Sequence, residues 1–588
     1  MDTPSGDTIG TVQRLTLTSK ITPTLELGSH TTSYPFSWAV STIPFARFND
    51  GNRLQMAANH VRQAVPLTYA EPPYVITGIE SIVRNVAGMD IRSSVDGTIE
   101  SVKEDRIVVK TASNRKVEFR LTPFITSHNF VIHWVPVVKI GAKVKTNDVL
   151  ATAEELHFKD ELTLGMNLYT AFIPSLEVFE DAILISESTA ERLTVTKGNN
   201  VVVKLPTNST LVHISSERNV KKGESLVVVT GKGLQPDILL DEFEKQDVIF
   251  ETQERKVFIR VPEDVDITHM EVHATTSYLN ANKLLSEYIK TLSPEDFSLR
   301  NSLTYKGSPY GCVITFHIKW KAPLTLGDKL TNRHGNKGVV CKIRSTQEMP
   351  KDERGRPFEL VLNPLGVVGR MNIGQMFELY ASNIVKYYND LLAKENYSQR
   401  SLTTLERILT SLDKTSNRAV VAYGMSRARK KMFVPLVVPH FREPSWNDLR
   451  RVVRELGIQT VSRVVWPDGV QSRVEVPIGY MYVYKLYHES SSKESARAIG
   501  GYQTLGHAVR GRSKIGGQKI DEQMSWTLLG RDLGAVTKEL FAYPADVGPQ
   551  IFNKIVENGS VSLAELTIPN RNREYLQSVL VSLGVELK

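Results

Sequence analysis

The stretch GDKLTNRHGNKGVV, Gly327 to Val340, holds two lysines, Lys329 and Lys337, with Arg333 and His334 between them. Gly327, Gly335 and Gly338 keep its backbone compact; glycine lets a chain approach a ligand closely, and lysine supplies a point charge for phosphate. The combination reads as an anion site, or as a basic hairpin turn, since Gly and Asn also punctuate ordinary turns. It is not a nucleotide-binding P-loop, because no Gly-Lys-Ser/Thr follows four spacer residues after a glycine, and the Rossmann glycine spacing is missing.

Other segments offer charge in positions where it could do chemistry. In IPFARFNDGNRLQMAANHVRQAVPL, Asn49, Asp50 and Gly51 make a turn signal, and Leu54, Ala57, Ala58 and Val61 follow helical spacing. A helix is expected from near Asn52, with Arg53 in its first turn beside backbone N–H groups that favour anions. The plainer reading is a solvated arginine beside a cap. In FEDAILISE, Glu180 and Asp181 form a carboxylate pair that suggests a divalent cation. Consecutive residues of a regular strand point to opposite faces, so both reach one metal only through a turn or bulge, and a solvated loop end is the alternative. LNPLGVVGRMNIGQMFE, Leu362 to Glu378, sets Arg370 at a helix start, where a guanidinium makes bidentate bonds to phosphate that lysine cannot, or serves structurally. The run SRARKKM, with Arg427, Arg429, Lys430 and Lys431, is a basic patch or an ordinary solvated face.

The elements that must carry these groups follow from pattern. Ile314, Phe316, Ile318 and Trp320 alternate with Thr315, His317, Lys319 and Lys321, a half-buried strand that launches the lysine loop. Residues 71–160 are short β-rich runs, and 189–310 form a second β-rich island closing on a helix at LNANKLLSEYIKTL. From Ile373, Met376, Leu379, Ile384 and Tyr387 recur at helical intervals. Leu449 to Arg463 reads as a helix, a turn and a strand, Tyr480 to Lys485 as a strand, and REYLQSVLVSLGVELK as a closing helix and strand. The first thirty residues carry no strong period and suit an extended arm.

At 588 residues several domains are expected. A net charge of +8 favours a polyanionic partner. Two cysteines, Cys312 and Cys341, outside any CxxC pair, argue against a zinc site or disulfide framework. No apolar run reaches the length of a membrane span and MDTPSGDTIG lacks signal-peptide character, so a soluble, cytoplasmic protein with no membrane partner is expected.

The lysine loop and the LNPLGVVGRMNIGQMFE block, in this order and separation, resemble the beta subunit of multisubunit DNA-dependent RNA polymerases. The resemblance spans nearly the whole chain but covers about the C-terminal half of a full beta subunit. It implies a multidomain α+β protein: a double-psi β-barrel core interrupted by a β-rich flap insertion, with an N-terminal β module and a C-terminal helical, clamp-type segment. The implied boundaries are 1–70 for an arm and active-site border, 71–162 for a hybrid-binding-like module, 163–190 and 311–400 for the two parts of the barrel core, 191–310 for the flap, 401–520 for core bordering the RNA–DNA hybrid, and 521–588 for an anchor to beta-prime.

The function so implied is template-directed RNA synthesis by a nucleotidyltransferase complex in which this chain is inactive alone. Lys329, Lys337, Arg370 and Arg53 take catalytic positions at the RNA 3′ end and the incoming triphosphate, and Asp50, Asn52, Glu180 and Asp181 border the substrate. Gln63, Arg333, His334, His488, Lys493, Arg497, Arg510, Arg512 and Lys514 face nucleic acid. Mg2+ is held mainly by aspartates of a beta-prime-like partner, since no Asp-Phe-Asp-Gly-Asp occurs here; Glu180 and Asp181 stand behind its direct ligands, and no zinc is expected. Where the family has Asn-Gly-Tyr-Asn this chain has Ser175, Leu176, Glu177 and Val178, which leaves the role of Glu177 open. Implied partners are the other half of beta, beta-prime, an initiation factor, DNA template, RNA transcript and nucleoside triphosphates. Bacterial wording of the motifs with divergence elsewhere suggests a split subunit of a large bacteriophage, working in the host cytoplasm. The rival reading is a nucleic-acid-binding regulator that keeps the fold without activity.

Overall fold

The structure, a computed structural model, describes residues 36–585 apart from internal stretches, the longest being 84–89, 154–161, 235–238, 240–247, 292–296, 494–500, 502–508, 512–515, 543–547 and 561–570. The expected N-terminal arm falls outside the described residues. Among those residues no helix is long and apolar enough to cross a membrane. Two units divide the chain, Met1–Glu489 and Ser490–Lys588.

In the first unit, helix α1 (Gly51–Arg62) begins where the Asp50 carboxylate accepts a hydrogen bond from the Asn52 N–H, satisfying one donor that a first turn leaves orphaned. Between 90 and 153, two small antiparallel sheets enclose Ile99, Ile107, Val109, Leu121 and Leu150. Strands β1 (Met166–Phe172) and β2 (Ala182–Ser186) follow. The chain then departs through β3 (Val195–Pro206), β4 (Val265–Thr275) and β5 (Ser308–Ala322). It returns through β6 (Lys329–Asn332), β7 (Lys337–Arg344), β8 (Leu360–Leu362), the long helix α2 (Gly374–Lys394) and β9 (Val476–Lys485).

Six of these strands close a barrel in the order β1, β8, β2, β7, β6, β9 and back to β1. The β1–β8 and β2–β7 pairs are parallel and the others antiparallel. Closure leaves no strand edge to protect. Every residue of β1 is buried, because alternate side chains enter two cores. Leu168 and Phe172 join Ile183, Leu330, Val340 and Met481; Tyr169 and Ala171 join Leu184, Val361, Ile478 and Tyr480. A strand covered on both faces carries apolar residues at both parities and not an alternation; in β1 only Asn167 and Thr170 interrupt them. The strand β9 lies beyond the 311–400 stretch expected to complete the barrel.

The insertion has its own centre. Strand β5 pairs antiparallel with β3 from Val195↔Ala322 to Pro206↔Tyr310, and with β4 on its other edge. Val201, Val203, Val272, Ile314 and Phe316 meet in the core beneath. The boundary expected at 310 therefore falls inside a strand, and the insertion runs to Ala322, because β5 finds its partner in β3 and not in the barrel. The single helix expected over 279–292 is two, Thr276–Ala281 and Lys283–Ile289. Asn282 divides them: its side chain donates to the Tyr278 carbonyl at 3.0 Å and accepts from the Leu211 N–H at 3.1 Å.

Helix α2 lies against β9, where the Asn383 amide donates to the Ile478 carbonyl at 3.0 Å. It shares a core of Ile384, Tyr388, Leu392, Leu405, Leu409 and Leu449 with helices Gln399–Leu412 and Trp446–Leu456. The second unit contains helices Glu522–Gly530, Gly534–Ala542, Gly548–Asn558 and Arg571–Ser582. The strand expected after the last of these is absent among the described residues, which end at 585.

Candidate functional site

The β6–β7 hairpin carries the lysine loop. Lys329 pairs with Val339 and Thr331 with Lys337, while Leu330 pairs with Gly338. Cross-strand partners share a face, so Lys329, Thr331, Lys337 and Val339 lie on one side and Leu330 and Val340 enter the barrel core on the other. Helix α1 covers the first side: His60 Nδ1 and Thr331 Oγ1 are 3.1 Å apart. Its approach depends on Gly335 at the hairpin tip, which has φ +75° and where a Cβ would meet the Arg53 carbonyl oxygen at 2.6 Å.

The tip is locked from below by an amide network. The Asn332 side-chain oxygen accepts from the N–H groups of His334 and Asn336, at 2.9 and 3.1 Å, and its amide donates to Gln375 Oε1 at 2.8 Å. Gln375 in turn donates to Asn372 Oδ1 at 2.7 Å, and Asn372 to the His334 carbonyl at 3.2 Å. These partners stand at the start of α2, so the loop and the Arg370 segment are held as one piece.

Beneath that network lies a sealed triad. Glu378 is fully buried, with Oε1 at 2.6 Å from Arg333 Nη2 and Oε2 at 2.5 Å from His334 Nε2. Arg333 also donates to the Val75 carbonyl at 2.8 Å and lies over the Tyr482 ring. Burial raises the Glu378 carboxyl, but the Arg333 charge and the His334 hydrogen bond outweigh it and hold the group well below the usual carboxylate range. Burial keeps His334 neutral, so its Nε2–H donates to Glu378 and its Nδ1 accepts from the Asn49 amide at 3.0 Å. The expected contact of Arg333 and His334 with nucleic acid is therefore corrected. Both side chains are enclosed by protein and act as supports.

On the open side, Arg53, Met56, Asn59, His60, Gln63, Asp181, Gly335, Lys337 and Arg370 line a cleft of about 350 Å³. Asp181 arrives through a tight turn in which Glu180 has φ +49°. The Val339 N–H donates to the Asp181 carbonyl at 2.9 Å, which seats this turn beside Lys337. The Asp181 carboxylate grips Arg370 with both oxygens, at 2.5 and 2.7 Å. Arg53 reaches toward the Gly335 carbonyl at 3.5 Å; burial and the Arg370 charge lower its pKa, against the pull of Asp181 and Asp50. Burial, then Lys337, Arg53 and His488, push the His60 imidazole down to about 3, so it is neutral. Among the described residues lining the cleft, three cations meet one carboxylate. A site so charged selects an anion and presents planar guanidinium donors to it.

Other expected site residues lie at its margins. Lys329 shares the Lys337 face but does not line the cleft. Asp50 caps α1, and Asn52 and Glu180 are exposed. His488 accepts the Lys329 N–H through its carbonyl at 3.3 Å. Lys493 sits on an exposed turn, Ser491–Lys493, of the second unit. Arg497, Arg510, Arg512 and Lys514 fall outside the described residues. Glu177 binds Lys342 and Arg344, at 2.5 and 2.6 Å; burial raises its carboxyl, but these two cations hold it below its ordinary value. Sequence reasoning missed Met56, His60 and Glu378. Arg53, Met56, His60 and Gln63 recur at the i, i+3, i+7, i+10 spacing of one helix face, a signal that was there to be found.

The family described as RNA polymerase Rpb2, domain 6, matches residues 92–514, and the chain belongs to that family. It is 28% identical to the DNA-directed RNA polymerase subunit beta of Mycoplasmoides gallisepticum, over 94% of this chain and 43% of that protein. The subunit of the same description from Malacoplasma penetrans is 28% identical over 87% of this chain and 41% of its own length. That from Spiroplasma citri is 29% identical over 87% and 36%. The chain thus spans about two fifths of the length of these curated relatives.

Proposed function

We propose that this chain is the C-terminal portion of the beta subunit of a multisubunit DNA-directed RNA polymerase, and that the cleft positions the RNA 3′ end and the incoming nucleoside triphosphate. The observation that carries this reading is the convergence of Arg53, Lys337 and Arg370, from three distant segments, around Asp181. On this reading the barrel is of the double-psi type, the insertion is the flap, and the chain is inactive alone. Asp181 holds the Arg370 guanidinium in the bidentate geometry that two phosphate oxygens require, so an arriving triphosphate exchanges with a carboxylate already in place. Lys337 and Arg53 add fixed positive charge beside it, which positions the reactants without reorganisation during the reaction. His60, neutral and bonded to Thr331, anchors α1 over the hairpin and leaves the charge to these three groups.

Among the described residues, the carboxylates at the cleft do not fit a primary magnesium site: Arg370 holds both Asp181 oxygens and Glu180 does not line the cleft. On this reading Mg2+ is held by a beta-prime-like partner, where it would neutralise charge on the reacting phosphates. The remaining partners on this reading are the rest of beta, an initiation factor, DNA template and RNA. Phage origin with a split subunit belongs to the same proposal, and sequencing the neighbouring reading frames tests it. The functional test has two parts. The chain should co-purify with a subunit carrying the aspartate triplet, and in the reconstituted complex Lys337→Ala should slow single-nucleotide addition on a preformed RNA–DNA scaffold, with Lys430→Ala as control. Normal extension by Lys337→Ala would remove the cleft from the active site.

A further inference from the structure

The insertion carries a second constellation, far in character from the cationic cleft. Along β4, Met270 and Val272 point into the insertion core while Glu271 and His273 point outward. Strict alternation would send His269 inward with Ile267. A bulge between Ile267 and His269 prevents this: the extra residue, Thr268, leaves two consecutive outward positions and brings His269 opposite His317 of β5. The Thr268 hydroxyl fixes the bulge by donating to the His317 carbonyl at 2.9 Å. Bulges re-aim side chains in this way and are common beside functional groups.

The result is two imidazoles around one carboxylate. His269 Nε2 and His317 Nε2 stand 3.6 and 3.7 Å from the same oxygen, Glu271 Oε1, and the ligating atoms of all three residues lie within 4.8 Å of one another. The contacts to Glu271 are too long for hydrogen bonds, yet His317 Nε2 is buried and makes none elsewhere. They suit ligands sharing an ion: zinc bonds of about 2.0–2.1 Å in tetrahedral geometry set neighbouring ligand atoms roughly 3.4 Å apart. His273 borders the group, 4.0 Å from Glu271 Oε2, with its Nδ1 held at 2.6 Å by Ser298.

We propose that His269, Glu271 and His317 bind a zinc-class divalent transition-metal ion, clamping β4 to β5. Two nitrogens and one oxygen suit such an ion and not magnesium or calcium, which take oxygen ligands. Solvent completes the coordination. The expectation that this chain holds no zinc rested on its cysteines, whereas this ligand set uses none.

The full chain, stripped with a chelator, should take up one equivalent of Zn2+ by calorimetric titration, with Mg2+ giving no comparable heat. Cobalt should give absorption bands of nitrogen and oxygen coordination without thiolate charge transfer, which separates this site from Cys341. Zn2+ should raise the melting temperature of the wild-type chain. Glu271→Gln and His269→Gln, both outward-facing, should melt as wild type does in chelator and should lose the zinc equivalent together with its stabilisation. His317→Gln replaces either variant that does not fold. Absence of zinc uptake by the wild-type chain, or wild-type affinity in either folded variant, overturns the site.

Discussion

The two sides of one hairpin tip treat the same kind of residue in opposite ways. Lys337 lines an open cleft with Arg53 and Arg370, whereas Arg333 and His334, a few positions earlier, are sealed around Glu378. On the open side charge borders a solvent-facing cleft; on the closed side it holds the tip to α2. A buried ion pair is costly to break because the survivor is left charged and dry, while a solvated contact can be exchanged at little cost to the fold. The difference teaches that basic residues in a loop divide into those left facing an open cleft and those that hold the fold, and that burial makes the division.

The sharpest way to break this contrast is Glu378→Ala. Leaving Arg333 buried without its carboxylate should cost about 3–5 kcal/mol, read as a fall in the urea midpoint or failure to fold. A loss below about 1 kcal/mol would mean that the triad is not a structural clamp. On the open side, Arg370→Ala and Lys337→Ala should each slow nucleotide addition by about two orders of magnitude, ~3 kcal/mol, while stability moves by no more than about 0.5 kcal/mol. Unfolding of either variant would place the open side with the closed one.

A pH titration refines the contrast. Burial holds the folded His60 imidazole down to about 3, against its ordinary value of 6.5. Below about 6.5 the unfolded chain binds a proton that the folded chain refuses, so this contribution to stability is complete above that pH and declines toward pH 3. The slope is about 1.4 kcal/mol per pH unit. His60→Gln should flatten the wild-type curve by that amount in urea titrations at pH 4 to 7; an unchanged slope would contradict a dry, neutral His60. The smallest effect is expected for Lys329→Ala, which should slow nucleotide addition less than Lys337→Ala because Lys329 stands outside the cleft lining. Equal losses would extend the open side along the whole Lys329–Lys337 face.

What the sequence disclosed was mostly local. The turn signal at Asn49 to Gly51 and the stripe of α1, the alternation of β5, and the helix, turn and strand expected over 449–463 all follow from neighbouring residues and agree with the structure, which starts that last helix three residues earlier, at Trp446. The partner of β5 was not legible, because strand pairing depends on surfaces brought together by folding; alternation announces a buried face without naming what buries it. The Arg370–Asp181 pair joins residues 189 positions apart, beyond any periodicity. Glu378 was hidden differently: an acid just past the first turn of a helix reads as ordinary polarity until its partners are known. The fate of Arg333 and His334 turned on Asn332 and Gly335, whose local bonds and positive φ aim the tip, and residue type alone does not reveal that aim.

The two-faced burial of β1 has a consequence for the making of the chain. During synthesis Met166–Phe172 emerges apolar but for Asn167 and Thr170, and its antiparallel neighbour Val483 lies roughly three hundred residues downstream. At about 5–20 residues per second the ribosome takes on the order of tens of seconds to deliver it. The insertion, whose β3, β4 and β5 close their own core, can fold in that interval, while the barrel waits with an apolar strand exposed. A nascent chain stopped before β9 should therefore be the species that chaperones hold and that aggregates when they do not.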